Sequence, residues 1–335
     1  MEPTSTAQFE ASKNGSVPPL EQLRDDVFAL AVPMPRGHIP YSFQYLLKDA
    51  DGGIHVIDPG WETDDNWQLF VSALATMAAQ LRDVRSIVAT HLHPDHLAMA
   101  GRMREATGAP LALHHAEQDA LDAQHLTRWS EESLARQLDD WQVPDARRGE
   151  FAQFAGSAPA APSIVCDTTV ADGDRLDIPG FDLTVMWTPG HTHGSICLRD
   201  DARSIMFTGD HLLPTMHPGL GLGGPTASNA LSDYLDGLER ISRYPAHEAL
   251  PGHGYRFAGL ADRANQSAEH HLRRSREVAQ LLESDPQLPI WQIASRLTWT
   301  AGWQNLTGFF VYSALSQTSM HRDYVALQAA RPAAL

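Results

Sequence analysis

Four residues able to ligate a metal fall within six positions in His91-Leu92-His93-Pro94-Asp95-His96, directly after the apolar run Ile87-Val88-Ala89. Alternate residues at a strand end point to the same side, so His91 and His93 can share one cation. Pro94 helps to make a turn, after which Asp95 and His96 can face a second cation close by. Neutral imidazole suits zinc, iron and other borderline metals, and a carboxylate adds negative charge and can accept a proton. A lone histidine in such a run would read as a core or surface residue. Four ligands at this density demand a fold that brings a strand end and several loops to one place.

Three later segments have the same texture. Thr188-Pro189-Gly190-His191-Thr192-His193-Gly194 and Phe207-Thr208-Gly209-Asp210 each follow a predicted strand, and Leu250-Pro251-Gly252-His253-Gly254 follows a predicted helix. Each sets a His or Asp beside a glycine, where backbone can approach closely. The set divides into His91, His93 and His191 for one metal and Asp95, His96 and His253 for the other, with Asp210 between them.

A chain of 335 residues is ample for a large core. It carries 17 histidines but only two cysteines, Cys166 and Cys197, too few for a disulfide framework. Acidic residues outnumber basic ones 41 to 25, and the formal net charge of −16 argues against nucleic acid as a partner. No run approaches the roughly 18 uninterrupted apolar residues of a membrane span. The polar start, Met1 to Pro19, has no basic stretch followed by an apolar one, so a cytoplasmic protein away from the membrane is expected.

Residues 1–19 are expected to form a flexible arm. Val27–Val32, Phe43–Lys48 and Ile54–Asp58 read as strands, the last two joined at Asp51-Gly52-Gly53. Trp67–Gln80 reads as a helix and Arg85–Thr90 as a buried strand. Phe181–Trp187, Ser195–Arg199 and Ser204–Thr208 repeat the strand pattern, and Leu231–Tyr244 is an amphipathic helix. Strands and helices alternate in both halves, which predicts an α/β (α+β) architecture with sheets covered by helices. The order strand–strand–helix–strand favours a mixed sheet or sandwich. Residues 20–263 form the main domain, with 115–162 read as a helical insertion ending in an Ala/Pro/Ser-rich linker. Residues 264–335 read as a small helical domain, with helices at Ala268–Leu282, Ile290–Leu297 and Thr307–Leu327.

The pattern H-x-H-x-D-H, with the later Gly-His, Gly-Asp and Gly-His-Gly segments, resembles the metallo-β-lactamase-fold hydrolases over about residues 27–260. That resemblance implies an αββα sandwich with a dinuclear site, usually zinc, at one edge of the two sheets. It makes Asp210 the bridging ligand and divides the other six residues three and three, as above. It also makes Asp58, in Val56-Ile57-Asp58-Pro59-Gly60, a partner that orients a ligand imidazole. Two zinc ions are the implied cofactor, and iron or manganese suits the same donors.

A closer likeness is to the glyoxalase II-like and LACTB-two-like branch. It rests on Phe207-Thr208-Gly209-Asp210-His211-Leu212-Leu213-Pro214, on His270-His271 and on the helical tail, which in that branch looks like a small winged-helix-like domain. Here the tail can pack over the mouth of the site or form a homodimer contact. Three departures bear on the substrate pocket. His93 and His191 lie 98 positions apart, an interval lengthened by the insertion. His193 stands where many relatives have Pro or another small residue, and Phe43-Gln44-Tyr45-Leu46 lacks an Asn often found there.

Asp95, His193 and His211 are the catalytic candidates. Asp95 would orient the nucleophile and take its proton, and either histidine would donate to a developing oxyanion or relay a proton. The alternative for both histidines is a hydrogen bond that only fixes a loop. His114, His115 and His217 read as structural or solvent-facing, and Trp129, Trp141, Trp299 and Trp303 as helix core ahead of a substrate channel. Gly219 to Gly224 lacks the preceding strand and following helix of a dinucleotide fingerprint and reads as a mobile loop near the site.

The expected chemistry is attack of a metal-bound hydroxide on the acyl carbonyl of a small-molecule thioester, ester or lactone, with thioester first. Neither cysteine is needed as a nucleophile. One alternative is a phosphodiesterase or ribonuclease on the same dinuclear site, with Arg273, Arg274 and Arg276 on phosphates. Another is a non-catalytic metal-binding or sensor protein, which the complete ligand set argues against.

Overall fold

Alternation along the strands sorts the apolar side chains into opposite faces. In β3 (Val27–Pro33), Ala29 and Ala31 join one core cluster while Leu30 and Val32 join another. In β10 (Ile196–Asp200), Ile196 and Leu198 face inward and Cys197 outward. Two sheets built this way must bury one face against each other and cover the other with helices.

The structure is a computed structural model describing residues 1–35, 39–126, 131–154, 164–224, 226–299 and 301–330. One sheet has seven strands in the order β2 (Glu21–Arg24), β3, β4 (Tyr41–Lys48), β5 (Ile54–Ile57), β6 (Val84–Val88), β7 (Leu111–His114) and β8 (Thr168–Val170). Pairing is antiparallel up to β5 and parallel beyond it. The other sheet has six, in the order β1 (Glu2–Pro3), β13 (Phe257–Ala258), β12 (Glu248–Pro251), β11 (Ile205–Gly209), β10 and β9 (Leu183–Trp187). Only β11 and β12 run parallel in it.

Tyr41, Phe43 and Tyr45 of the first sheet meet Val185, Leu198 and Phe207 of the second in a common core. Helices α2 (Asp64–Thr76) and α4 (Ala100–Thr107) cover the first sheet, burying Phe70, Leu74 and Met103 against Leu30, Leu46 and Val56. The Thr63 hydroxyl caps α2 by accepting from Asn66 N, and Asp64 and Asp65 in its first turn complement the helix dipole. On the other side, α8 (Ala230–Ser242) and α9 (Leu260–Ser284) pack Leu231, Tyr234 and Leu260 on Cys197 and Met206. The result is an αββα sandwich.

Three features depart from the sequence reading. Residues 1–19 are not a loose arm. β1 extends the second sheet along β13, α1 (Thr6–Asn14) is capped by Ser5, and the Phe9 ring lies edge-on to Tyr255 at 5.1 Å. This segment reads as polar because its helix buries only Gln8 and Ala11, and the Gln8 side chain accepts from Arg256 N. Helix α9 starts at Leu260, before the expected Ala268, because its first turns bury Arg263 and Ser267 where periodicity expects apolar residues. Finally, the insertion and the tail are not separate bodies. Leu134, Trp141 and Phe151, in and after α6 (Glu131–Asp140), share one core with Val278 of α9, Ile290 of α10 (Ile290–Arg296) and Val311 of α11 (Phe309–Ala330). Trp141, Trp299 and Trp303 pack in that core. Trp129 and the linker at 156–162 lie outside the described residues. The described tail is helical, and no described helix is long and apolar enough to cross a membrane.

Candidate metal centre

Five of the seven predicted ligands come from loops after strands and two, Asp95 and His96, from the short helix Pro94–Leu97, and the structure draws them together. Their donor atoms form three groups, each within 4.8 Å: His91, His93 and His191; Asp95, His96 and His253; and His91, His96 and Asp210. Asp210 thus meets members of both trios. Its Oδ1 lies 3.4 Å from His96 Nε2, and its Oδ2 lies 3.4 Å from His253 Nε2 and 3.6 Å from His191 Nε2.

Four of the five imidazoles are held from behind. His191 Nδ1 lies 2.6 Å from the Gly219 carbonyl and His253 Nδ1 2.8 Å from the Tyr41 carbonyl. A carbonyl only accepts, so both rings carry a hydrogen on Nδ1 and turn Nε2 inward. Asp58 is 1% exposed and sits at a positive φ of 56° after β5. Its carboxylate accepts from Thr90 N at 2.6 Å, Thr90 Oγ1 at 2.8 Å and His96 Nδ1 at 2.9 Å. Thr90 Oγ1 in turn lies 3.1 Å from His91 Nδ1, so one carboxylate orients His96 directly and His91 through a hydroxyl.

That arrangement brings ring nitrogens face to face. His96 Nε2 and His253 Nε2 are 3.3 Å apart, and His191 Nε2 is 3.0 Å from His93 Nδ1. Two ring nitrogens at such separations need a proton or a metal cation between them. Asp210 Oδ1 is buried without a hydrogen-bond partner, as an anion facing a cation would be. The donors present therefore fit a pair of metal ions sharing Asp210.

Electrostatics divide the two trios. Burial and the neighbouring imidazoles hold His91 well below the usual histidine range and bring His93 down to about 3, and burial lowers His191. This trio is neutral, as ligation requires. Burial also opposes charge on His96 and His253, but the carboxylates of Asp95 and Asp210 outweigh it, taking His253 up to about 9 and His96 well above its usual range. Asp95 and Asp210 would be raised by burial, yet His96 and His253 hold both below the usual carboxylate range.

Gly252 shows how tightly the centre is built. A Cβ there would fall 2.3 Å from Asp210 Oδ1 and 2.6 Å from His96 Cε1. Gly252→Ala is expected to displace Asp210 and lower the bound-metal content, measured by elemental analysis, with the circular dichroism spectrum unchanged.

The two remaining histidines differ. His193 is half-buried, its buried Nδ1 has no hydrogen-bond partner among the described residues, and it lines a small pocket with Thr192, Gly223, Gly224 and Asp233. His211 is 1% exposed, lies edge-on to Tyr234 at 5.0 Å and packs on Gly237 of α8. It joins none of the three donor groups.

Sequence reasoning missed Glu117, which is fully buried beneath the loops bearing His91, His93 and His191. Burial pushes its carboxyl up to about 7 against hydrogen bonds from Thr192, Gly194 and Leu92. The only signal was its position just past a strand end.

The profile of the Metallo-beta-lactamase superfamily matches residues 40–253, a stretch that contains all seven donors. Acyl-coenzyme A thioesterase MBLAC2 of Homo sapiens is 31% identical over 195 residues, covering 56% of this chain and 62% of that protein, so the chain matches less than two thirds of the relative's length. Probable metallo-hydrolase YqjP of Bacillus subtilis (strain 168) is 26% identical over 281 residues, 82% of this chain and 85% of the relative. The crystal structure of a metallo-beta-lactamase family protein from Thermus thermophilus superposes with a TM-score of 0.70 at 25% identity, over 92% of this chain and 96% of that one. Sandwich, donor set and profile agree, and the chain belongs to the metallo-beta-lactamase superfamily.

Proposed function

We propose that the protein hydrolyses small acyl compounds, thioesters before esters and lactones, with two zinc ions held by His91, His93 and His191 and by Asp95, His96 and His253, and shared by Asp210. The observation that carries this reading is the gathering of ring nitrogens at two points joined by one carboxylate. Such ions supply Lewis acidity and lower the pKa of a water towards about 7. Asp95 is the most open donor of its trio, with its side chain 14% exposed against 0% for His96 and 2% for His253. It is the residue to orient the water and take its proton. His193, which lines the neighbouring pocket, is the residue to hydrogen-bond the substrate or its leaving group.

Neither cysteine competes as a nucleophile. Cys197 is buried and its thiol is pushed up to about 12, and burial raises Cys166 as well. The preference for thioesters rests on the likeness to the thioesterase MBLAC2. The phosphodiester reading loses support because Arg276 pairs with Glu269, and Arg274 donates to the Thr298 carbonyl while lying over Trp299.

The test is metal analysis of the purified protein beside a panel of acyl-thioesters, lactones and bis(p-nitrophenyl) phosphate. Zinc at two per chain with thioester or lactone turnover supports the proposal. Turnover of the phosphodiester alone refutes it.

A further inference from the structure

Glu117 lies in the first turn of α5 (His115–Leu126), the first helix of the insertion, with no ion pair among the described residues. Its two oxygens accept three hydrogen bonds, and every donor sits on a loop bearing a member of the all-imidazole trio. Oε2 accepts from Leu92 N at 2.8 Å, between His91 and His93. Oε1 accepts from Thr192 Oγ1 at 2.7 Å and Gly194 N at 2.5 Å, just past His191. The contact is close-packed: a Cβ on Gly194 would lie 2.5 Å from Glu117 N.

The other trio is supported by different groups. Ser42 Oγ donates to the Asp95 carbonyl at 2.6 Å, Tyr41 supplies the carbonyl behind His253, and Asp58 holds His96 directly while reaching His91 only through Thr90 Oγ1, whereas Glu117 bonds to loops of the all-imidazole trio alone. From this division we infer that Glu117 is a positioning residue that joins the His91–His93 loop to the His191 loop, and so sets the geometry of one metal subsite independently of the other. The residue type follows from the partners. All three are donors, which a carboxylate can satisfy, whereas a glutamine must turn an amide N–H towards one of them. The inference rests on the two-ion reading above.

The experiment uses the full chain, stripped and reloaded with cobalt(II), with uptake followed by visible absorption in competition with a chelator. The wild type is read first: two equivalents with distinct spectra are expected, and uptake of a single ion would refute the two-ion reading itself. Against a two-ion wild type, Glu117→Gln is expected to weaken one equivalent by about 10–100-fold, the usual size of losing a group behind a ligand, and to leave the other unchanged. A general loss of structure would weaken both. Thr192→Val removes one of the three bonds and is expected to weaken the same equivalent to a smaller degree. It carries the test if Glu117→Gln does not fold. Equal weakening of both equivalents, or no change in either, would overturn the assignment.

Discussion

Replacing Asp210 by Asn is expected to lower turnover by on the order of 10³-fold or more while the protein remains folded, a loss comparable to removing a principal electrostatic contact from a transition state. Asp210 approaches imidazoles of both trios, through Oδ1 to His96 and Oδ2 to His191 and His253. An asparagine of the same shape would present N–H groups where lone pairs are needed and withdraw a negative charge from between the two sets. The fold should survive, because the sheets are held by the shared core and the imidazoles by Gly219, Tyr41 and Asp58 from behind. The measurement is kcat beside metal content and the thermal midpoint. Full turnover in a folded, metal-depleted variant would refute a shared carboxylate.

Stripping the metal is expected to bring hydrolysis at pH 7 below detection. Water without a metal keeps a pKa of about 15.7 instead of about 7, a loss of roughly eight powers of ten in available hydroxide. The same treatment is expected to lower the thermal midpoint by several degrees, since a ligand at about a thousand times its Kd contributes roughly 4 kcal/mol to the folded state. The repulsion between His96 Nε2 and His253 Nε2, 3.3 Å apart, then has only protons to relieve it. Dialysis against a chelator, followed by zinc addition, should remove and restore both signals. Turnover indifferent to chelator would refute metal-dependent hydrolysis.

Most of the sandwich was legible in the chain because its strands alternate: Leu30 and Val32 against Ala29 and Ala31 reports two buried faces. The donors were legible for a related reason, since most lie just after strands and several beside a glycine that lets chains crowd together. Glu117 was not. In His114-His115-Ala116-Glu117-Gln118-Asp119 it looks like one more carboxylate on a solvated helix, and its partners lie 25, 75 and 77 residues away. His211 is a different case. It follows Asp210, but neighbours in sequence need not share a face, and its ring went under α8. The N-terminal segment was illegible because backbone pairing to β13, which leaves no mark on composition, holds it in place.

The core shared by the insertion and the tail also constrains the order of events as the chain is made. Leu134, Trp141 and Phe151 emerge from the ribosome well before Ile290 and Val311, the residues that cover them. Until the last helix is synthesised, this part of the insertion has an apolar face without its cover, even if the two sheets have already paired. Domains generally fold as they emerge, and transiently exposed apolar surface favours aggregation. This protein therefore completes its helical body only after release of its C-terminal helices. Chaperone dependence and sensitivity to stalled translation should concentrate in that interval, and they should ease when the missing helices are supplied as a separate peptide.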